Sequence, residues 1–230
     1  MLRSANKPKL IMQTNRRSRI SEGYRNIRTN IQFSEWNGRR HVLAVTSTQA
    51  GEGKTTTISN LAVAYAHEGK RVLLIDADLR NPSLQDIFQI SNKTGLSNLL
   101  ANQCSHAEVV RKTEIDHLSL ITAGPIPPNP TELLSSGKLR EYLEIWKGSY
   151  DIILIDTSPV MAVADGLIVS SMSDGVILVI QSGKVKREFI LKSKERLGHV
   201  QAQIIGVVLN NKKINKAEAR HYNYYGLRTD

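Results

Sequence analysis

Residues 46–57 read TSTQAGEGKTTT and lie between an apolar run (42–46, VLAVT) and apolar residues at helical spacing. Gly51 and Gly53 allow consecutive backbone N–H groups to turn inward around phosphate oxygens, and the N-terminus of the following helix adds the positive end of its dipole. A strand, a glycine-rich turn and a helix in this order are the context that a phosphate-binding loop requires. The segment therefore predicts a P-loop fold that binds ATP with Mg²⁺.

Lys54 and Thr55 stand at the two loop positions that act on the nucleotide most directly. A lysine there reaches the β- and γ-phosphates, and a threonine hydroxyl there is a magnesium ligand. Thr48 replaces the first glycine of the general G-x-x-x-x-G-K-S/T pattern, but that position only opens the loop. The predicted nucleotide-binding residues of the loop are Gly51, Glu52, Gly53, Lys54, Thr55 and Thr56.

Six short apolar runs alternate with helical patterns along the chain, at 42–46, 72–75, 118–121, 152–155, 176–180 and 204–209. Continuous apolar strands are buried on both faces, and their alternation with helices indicates a parallel sheet covered on each side. The predicted fold class is therefore doubly wound α/β with a mostly parallel sheet. One helix is expected to run from about 130 to 146. Asn129 would cap it, with Pro130 in its first turn and Glu132 reaching back to the cap.

Basic residues are concentrated at the two ends of the chain. The net charge is +10, from 31 Lys and Arg against 21 Asp and Glu, and residues 1–40 carry a net +8 while residues 184–230 carry a net +7. Such segments bind nucleic acid, anionic lipid or acidic partners, or are simply solvated. Only 5% of the residues are Phe, Trp or Tyr, which leaves few side chains to stack on bases, so nucleic acid is not an expected partner.

The sequence predicts three parts in one chain. Residues 1–40 form a basic N-terminal segment, residues 41–211 form the P-loop domain, and residues 212–230 form a flexible basic tail that contains tyrosines. Cys104 is the single cysteine, so an internal disulfide is not expected. No apolar run approaches the roughly 20 residues of a membrane span, and the first residues lack the apolar core of a signal peptide. A cytoplasmic location is therefore expected.

Acidic residues follow two of the predicted strands. Asp156 comes directly after IILI, at the carboxyl end of a strand that faces the crevice beside the P-loop. By position it is the Walker B aspartate, which holds magnesium or its water. Asp76 and Asp78 follow VLLI, and Arg80 comes two residues later. Alternate residues of an extended segment face one side, so these three side chains are expected to converge. Taken without the P-loop, acids at strand ends are also common as ordinary turn residues.

Taken together, these motifs resemble one family, the bacterial tyrosine kinases that use a P-loop fold instead of the eukaryotic kinase fold. The segments that carry the resemblance are GEGKT (51–55), LLIDADLR (73–80), AGPIPPNPTELL (123–134), ILIDTSP (153–159), an E-x-x-R-x-x-R helix motif at Glu22, Arg25 and Arg28, and a terminal tyrosine cluster. They span residues 22–225. Ala50 and Ser158 stand where proline is usual in the family.

The resemblance implies an ATP- and Mg²⁺-dependent protein-tyrosine kinase. A tyrosine hydroxyl has an unperturbed pKa near 10, so a carboxylate beside the γ-phosphate helps to take its proton. The family pattern nominates Asp76 as this base, with Asp78 and Arg80 supporting metal and acceptor and Lys54 acting on the phosphates. Thr55, Asp76 and Asp156 are the implied magnesium ligands. Asn210 matches an asparagine that contacts adenine in related ATPases, although an ordinary turn residue fits that position equally well.

The resemblance also implies partners. Tyr222, Tyr224 and Tyr225 are the expected autophosphorylation sites, modified by a neighbouring subunit, although aromatic anchoring against the domain also fits them. Glu22, Arg25 and Arg28 would join subunits in a homo-oligomer such as a ring, unless they form a solvated charged face. The size matches the stand-alone kinase component of Gram-positive bacteria, which a membrane protein activates through its cytoplasmic tail. Such a kinase acts on protein tyrosines at the inner face of the membrane and governs capsule or exopolysaccharide synthesis.

Two other functions remain open from the sequence. A septum-positioning or plasmid-partition ATPase shares the predicted sheet and motifs, but those proteins carry a signature lysine five residues before the loop lysine, where this chain has Gln49. A nucleotide-dependent scaffold without catalytic turnover is the second alternative, because the basic ends could recruit acidic partners.

Overall fold

The computed structural model describes residues 10–34 and 41–213. Its strands are β1 (Val42–Ser47), β2 (Val72–Asp76), β3 (Arg111–Lys112), β4 (Leu118–Ile121), β5 (Ile152–Asp156), β6 (Gly175–Gln181) and β7 (Ile204–Asn210). Its helices are α1 (Ile11–Thr14), α2 (Arg19–Phe33), α3 (Lys54–Ala66), α4 (Leu84–Phe88), α5 (Leu96–Leu100), α6 (His106–Val109), α7 (Pro130–Ser135), α8 (Lys138–Lys147), α9 (Asp165–Ser171) and α10 (Arg187–His199).

The strands of the described ranges form a single sheet in the order β3-β4-β2-β5-β1-β6-β7. Neighbouring strands are parallel, except that β3 runs antiparallel to β4. The predicted doubly wound, mostly parallel fold is confirmed, and each of the six predicted strands begins and ends within one residue of its expected bounds. Strand β3 was not predicted because it contains only two residues, both polar and exposed.

Strand β1 shows why the central strands are continuously apolar. Leu43 and Val45 pack in one apolar core, whereas Val42 and Ala44 of the same strand pack in a second core. Successive side chains of a strand point to opposite faces of the sheet, so the two cores lie on opposite faces. Both faces of the central sheet are therefore buried, as the uninterrupted apolar runs predict.

The single helix expected from about 130 to 146 is wrong, because the structure divides this segment. Helix α7 ends at Ser135 and helix α8 begins at Lys138, and Gly137 between them has a φ of +84°. A left-handed residue interrupts a right-handed helix. Pro130 does begin α7, but the side chain of Asn129 makes no capping hydrogen bond.

Strand β7 departs from the expectation that every strand is buried on both faces. It lies at the edge of the sheet, and its side chains Val207 and Leu209 are 57% and 52% exposed. An edge strand has a neighbour on one side only, so apolar composition alone did not distinguish β7 from the central strands. Within residues 10–34 and 41–213, no helix is both long enough and apolar enough to span a membrane.

Replacing Gly137 with alanine is expected to lower the free energy of unfolding by about 1 kcal/mol, because a Cβ is strained at positive φ although no atom obstructs it. Gly148→Ala is the matched control, since Gly148 has a right-handed φ of −70° and a Cβ there makes only ordinary contact. Urea denaturation of both variants measures the difference. Equal stability of the two variants would show that Gly137 is not needed for the break between α7 and α8.

Candidate active site

The candidate site lies where three central strands end side by side. Strand β5 lies between β1 and β2, so the loop after β1 meets the last residues of the other two strands. Asp76 of β2 is directly opposite Asp156 of β5 in the register of the sheet. The sequence motifs after these three strands are therefore brought together, as the parallel arrangement predicts.

The glycine-rich loop contains two left-handed glycines and leads directly into a helix. Gly51 and Gly53 have φ values of +80° and +92°, and α3 begins directly afterwards at Lys54. A Cβ on Gly53 would lie 2.1 Å from Nδ2 of Asn210. Glycine is therefore required at position 53 for two reasons, its left-handed backbone and the close approach of the Asn210 amide.

Glu52 and Asn210 hold the loop in shape. The Glu52 carboxylate accepts hydrogen bonds from the backbone N–H groups of Thr48 and Gln49, both at 3.2 Å. Burial raises the pKa of Glu52, and these two hydrogen bonds oppose that effect. The Asn210 amide donates to the Glu52 backbone carbonyl at 2.8 Å. Both residues belong to the site, but they contact the loop itself, and their contacts with a nucleotide stay a prediction.

Lys54 is buried among carboxylates. Its Nζ lies 2.8 Å from Oδ2 of Asp78 and 3.6 Å from Oδ1 of Asp156. Burial of the ammonium lowers its pKa, but the charges of Asp156 and Asp78 outweigh that effect, and the net pKa is raised. Lys54 is therefore a fixed positive charge, held at the centre of the site by acids from two different segments.

Asp76 is fully buried and accepts three backbone hydrogen bonds. The donors are the N–H groups of Asp78 (3.1 Å), Ser83 (3.1 Å) and Leu84 (3.0 Å). Burial, and next the charge of Asp156, raise the pKa of Asp76 to about 7. Asp76 therefore shapes the segment after β2 and also titrates near neutral pH. The first of these roles was not predicted, because it depends on backbone donors that no local motif indicates.

Asp156 is the residue whose surroundings fit a magnesium ion best. Among the described residues, none donates a hydrogen bond of ordinary length to either carboxylate oxygen, although both oxygens are buried. Burial raises its pKa, while the charge of Lys54 favours the ionised form. Mg²⁺ binds to carboxylate and hydroxyl oxygens, and the side chain of Thr55, in the first turn of α3, interacts with this carboxylate. The carboxylate of Asp156 and the hydroxyl of Thr55 therefore fit the cation. Asp76 lies opposite Asp156 in the sheet and has about one acceptor site left for the ion or its water.

Arg80 was expected to converge with the two aspartates before it, but its hydrogen bonds go to Asp165 and Thr131. The hydrogen bond to Asp165 is the largest cause that raises the pKa of Arg80, and the charge of Asp78 acts on it only as a lesser one. The chain turns after Asp78, where the N–H of Asn81 donates to the Asp78 carbonyl at 3.2 Å. The turn directs Arg80 to Asp165, whose Oδ2 lies 2.7 Å from Nε. Alternation of side chains applies only while the backbone stays extended.

Three residues near the site were not among the predicted site residues. Ser158 donates to Oδ1 of Asp78 at 2.7 Å, and Thr131 bridges Arg80 and Asp165. Ser158 was visible only as a departure from proline, and Thr131 only as part of the segment 123–134. Nothing local to Asp165 indicated its contact, because its partner lies 85 positions away.

The charged residues of α2 are engaged within the subunit. Glu22 forms an ion pair with Arg25 on the same helix. Arg28 donates to the Ala64 carbonyl of α3 at 3.0 Å and lies 3.6 Å from Glu68. Their pairing across a subunit boundary stays a prediction. Tyr222, Tyr224 and Tyr225 lie outside the described residues.

The stability of the nucleotide-free protein in EDTA is expected to fall as pH rises from about 4 to about 7. The pKa of Asp76 is about 7 in the folded protein against an ordinary value of 3.8, so across this window the native state binds more protons than the unfolded chain and loses stability with rising pH. Asp76→Asn should flatten this slope, and the exposed Asp116→Asn should not. Urea titrations at several pH values measure it, and an unchanged slope in Asp76→Asn would contradict the assignment.

A family model for the AAA domain matches residues 40–212. Tyrosine-protein kinase YwqD of Bacillus subtilis is 42% identical over 219 residues, covering 95% of this chain and 92% of that protein. Tyrosine-protein kinase CpsD of Streptococcus agalactiae is 38% identical over 217 residues, covering 93% of each chain. The kinase domain of the Escherichia coli tyrosine kinase ETK superposes with a TM-score of 0.87 at 31% identity, covering 94% of this chain and 85% of that one.

A more distant structure shares the fold alone. The septum site-determining protein MinD of Pyrococcus horikoshii, solved as its Mg-ADP complex, superposes with a TM-score of 0.64 at 24% identity and covers 79% of this chain and 76% of that one. The tyrosine-protein kinases match more of the chain at higher identity. With its P-loop, its aspartates at the ends of β2 and β5 and these relatives, the chain belongs to the bacterial P-loop tyrosine-protein kinase family.

Proposed function

We propose that this chain transfers the γ-phosphate of ATP to protein tyrosines, with Mg²⁺ as its cofactor. The observation that carries the proposal is the placement of Lys54 among Asp76, Asp78 and Asp156 directly beside the P-loop. Phosphoryl transfer needs little covalent chemistry from the protein and depends on charge neutralisation and alignment. This cluster provides a cation for the phosphates and carboxylates for metal and proton.

Lys54 is the residue that must change partners when nucleotide binds. Its ammonium now pairs with Asp78, and γ-phosphate oxygens would compete for the same donors. Thr55, Asp76 and Asp156 would hold Mg²⁺, which neutralises phosphate charge when bound. The loop amides beyond those that contact Glu52 remain for the phosphate oxygens.

Asp76 is the proposed general base. A base with a pKa near the working pH is efficient, and the pKa of Asp76 is about 7. An ionised carboxylate has about four lone-pair sites, and three of them accept the backbone N–H groups of Asp78, Ser83 and Leu84. About one site is left, on Oδ1, whose position the three backbone bonds fix. This site would take the tyrosine proton, and Asp76 would then contact the Mg²⁺ held by Thr55 and Asp156 only through a bound water.

The tail supplies the first proposed acceptors, Tyr222, Tyr224 and Tyr225. From residue 212 onward, five basic residues outnumber Glu218 and Asp230, so the unmodified tail is attracted to a site that contains ATP and three aspartates. Each phosphate adds a charge of about −1.5 to −2, and full modification reverses the sign of the tail. Roughly twenty residues can extend up to about 60 Å, enough to reach a neighbouring subunit.

The proposed assembly is a homo-oligomer such as a ring, joined through α2. Glu22 and Arg25 are the partly exposed members of the motif, whereas Arg28 packs against α3 within its own subunit. The proposed activator is a membrane protein whose cytoplasmic tail recruits the kinase to the inner face of the membrane. The proposed process is capsule or exopolysaccharide synthesis, through tyrosines of other proteins.

Lys54→Met is expected to reduce phosphotyrosine formation by about a hundredfold or more, because it removes a group that stabilises transferred charge. The change also leaves Asp78 and Asp156 without their cation, so circular dichroism and urea denaturation are measured alongside to establish that the variant is folded. Lys147→Met is the matched control, since Lys147 pairs with Glu144 at the end of α8. Incubation with labelled ATP gives three readouts: phosphotyrosine supports a kinase, free phosphate alone a partition-type ATPase, and neither a scaffold. Phosphotyrosine at the wild-type level in Lys54→Met would refute the site.

Transfer between subunits is expected when a Lys54→Met chain is mixed with an active chain that carries phenylalanine at 222, 224 and 225. Phosphate should then appear on the Lys54→Met chain, because only that chain has acceptors and only its partner has an intact site. Mass spectrometry of differently tagged chains identifies the recipient. Phosphate that forms only when one chain carries both Lys54 and the tyrosines would place the reaction within a single subunit.

A further inference from the structure

Arg80 is tied to two residues that lie far from it in the sequence. Its Nε donates to Oδ2 of Asp165 at 2.7 Å, and its Nη2 donates to the Thr131 hydroxyl at 3.0 Å. The same hydroxyl donates to Oδ1 of Asp165 at 2.7 Å. The three groups therefore form a closed triangle that joins the segment after β2 to α7 and α9.

The triangle depends on a buried charge. Asp165 is completely buried, whereas the Arg80 side chain is 43% exposed. A buried carboxylate requires a cation and hydrogen bonds, and within the described ranges Arg80 is its only ion-pair partner. Thr131 completes the arrangement because a hydroxyl donates and accepts at once. Valine has the same shape but can do neither.

A second contact from the same turn of α9 supports Asp78. A Cβ on Gly166 would lie 2.2 Å from the Ser158 carbonyl, so α9 is packed directly against that residue. The Thr46 hydroxyl donates to the same carbonyl at 3.0 Å, and the Ser158 hydroxyl donates to Asp78 at 2.7 Å. The first turn of α9 therefore contacts both sides of the site: Gly166 packs against Ser158, which donates to Asp78, and Asp165 pairs with Arg80.

This bracing leaves one edge of Arg80 available. A guanidinium has five N–H donors in a rigid fork, and the contacts above use Nε and Nη2. Among the described residues, none accepts a hydrogen bond from Nη1. The Arg80 side chain is partly exposed, and its Nε and Nη2 are fixed by Asp165 and Thr131. Arg80 also lies two residues after Asp78, the aspartate that pairs with Lys54.

We propose that Thr131 and Asp165 are positioning residues, which hold Arg80 so that its free edge binds the acceptor side of the reacting phosphate. The proposal rests on the kinase function proposed above. It explains why the segment 123–134 belongs with the kinase motifs although it contains no group that reaches Lys54. If Thr131 only joined α7 to α9, replacing it would lower the stability of the protein without a selective loss of kcat.

Thr131→Val is expected to lower kcat for transfer to the Lys54→Met chain by about tenfold, since a bond to a charged group is lost, while KM for ATP stays within about twofold. Thr131→Ser restores a hydroxyl and should keep most of the rate. Thr113→Val is the matched control, because Thr113 uses its hydroxyl at the opposite end of β4, where it donates to Leu118 at 2.9 Å. Thr113→Val should leave both constants near wild type.

A double-mutant cycle with Arg80→Lys separates positioning from a structural role. If Thr131 acts through Arg80, adding Thr131→Val to Arg80→Lys costs little further rate in single-turnover transfer, whereas independent effects multiply. Multiplying losses, an unchanged kcat in Thr131→Val, or equal losses of kcat and nucleotide affinity would each overturn the proposal. Asp165→Asn should repeat the pattern, and Thr131→Val decides the matter if that variant does not fold.

The same measurements separate this proposal from the kinase function itself. A wild type that transfers phosphate to the Lys54→Met chain, together with multiplying losses in the cycle, rejects only the positioning roles. A wild type that releases free phosphate and forms no phosphotyrosine rejects the kinase function and the positioning proposal together.

Discussion

A buried ammonium among three carboxylates is the interaction on which the site depends. Lys54 begins α3, and the acids come from the ends of β2 and β5 and from the turn after β2. Acids this close repel one another and are costly to bury, so the lysine makes their arrangement tenable. Lys54 lies within 4 Å of Asp78 and Asp156. This approach depends on the order of the strands, on the left-handed glycines of the loop and on the packing of both helical layers.

Asp76 illustrates how structure and chemistry are combined in one residue. Its carboxylate organises the backbone from 78 to 84 and is proposed to accept a proton. Burial beside Asp156 produces the high pKa, while the backbone donors set the orientation.

Local patterns in the sequence were sufficient for much of the fold. The six apolar runs predicted the strands to within a residue, and the P-loop and the aspartates at strand ends were found because each is a contiguous motif with a known place in a parallel sheet. The failures have a different origin. The partner of Arg80 lies 85 positions away, the exposure of Val207 follows from its place at the sheet edge, and Gly137 acts through one dihedral angle.

Asn210 links two parts of the molecule that the sequence separates widely. It ends β7, hydrogen-bonds to the loop at Glu52 and immediately precedes the segment that leads to the tyrosines. Under the proposed function, the tail would start beside the catalytic centre, and its proposed acceptors would experience an effective concentration set by contour length instead of by the amount of protein in solution. An insertion after residue 211 would leave the centre intact and dilute the acceptors, whereas a deletion would concentrate them until the tether became too short.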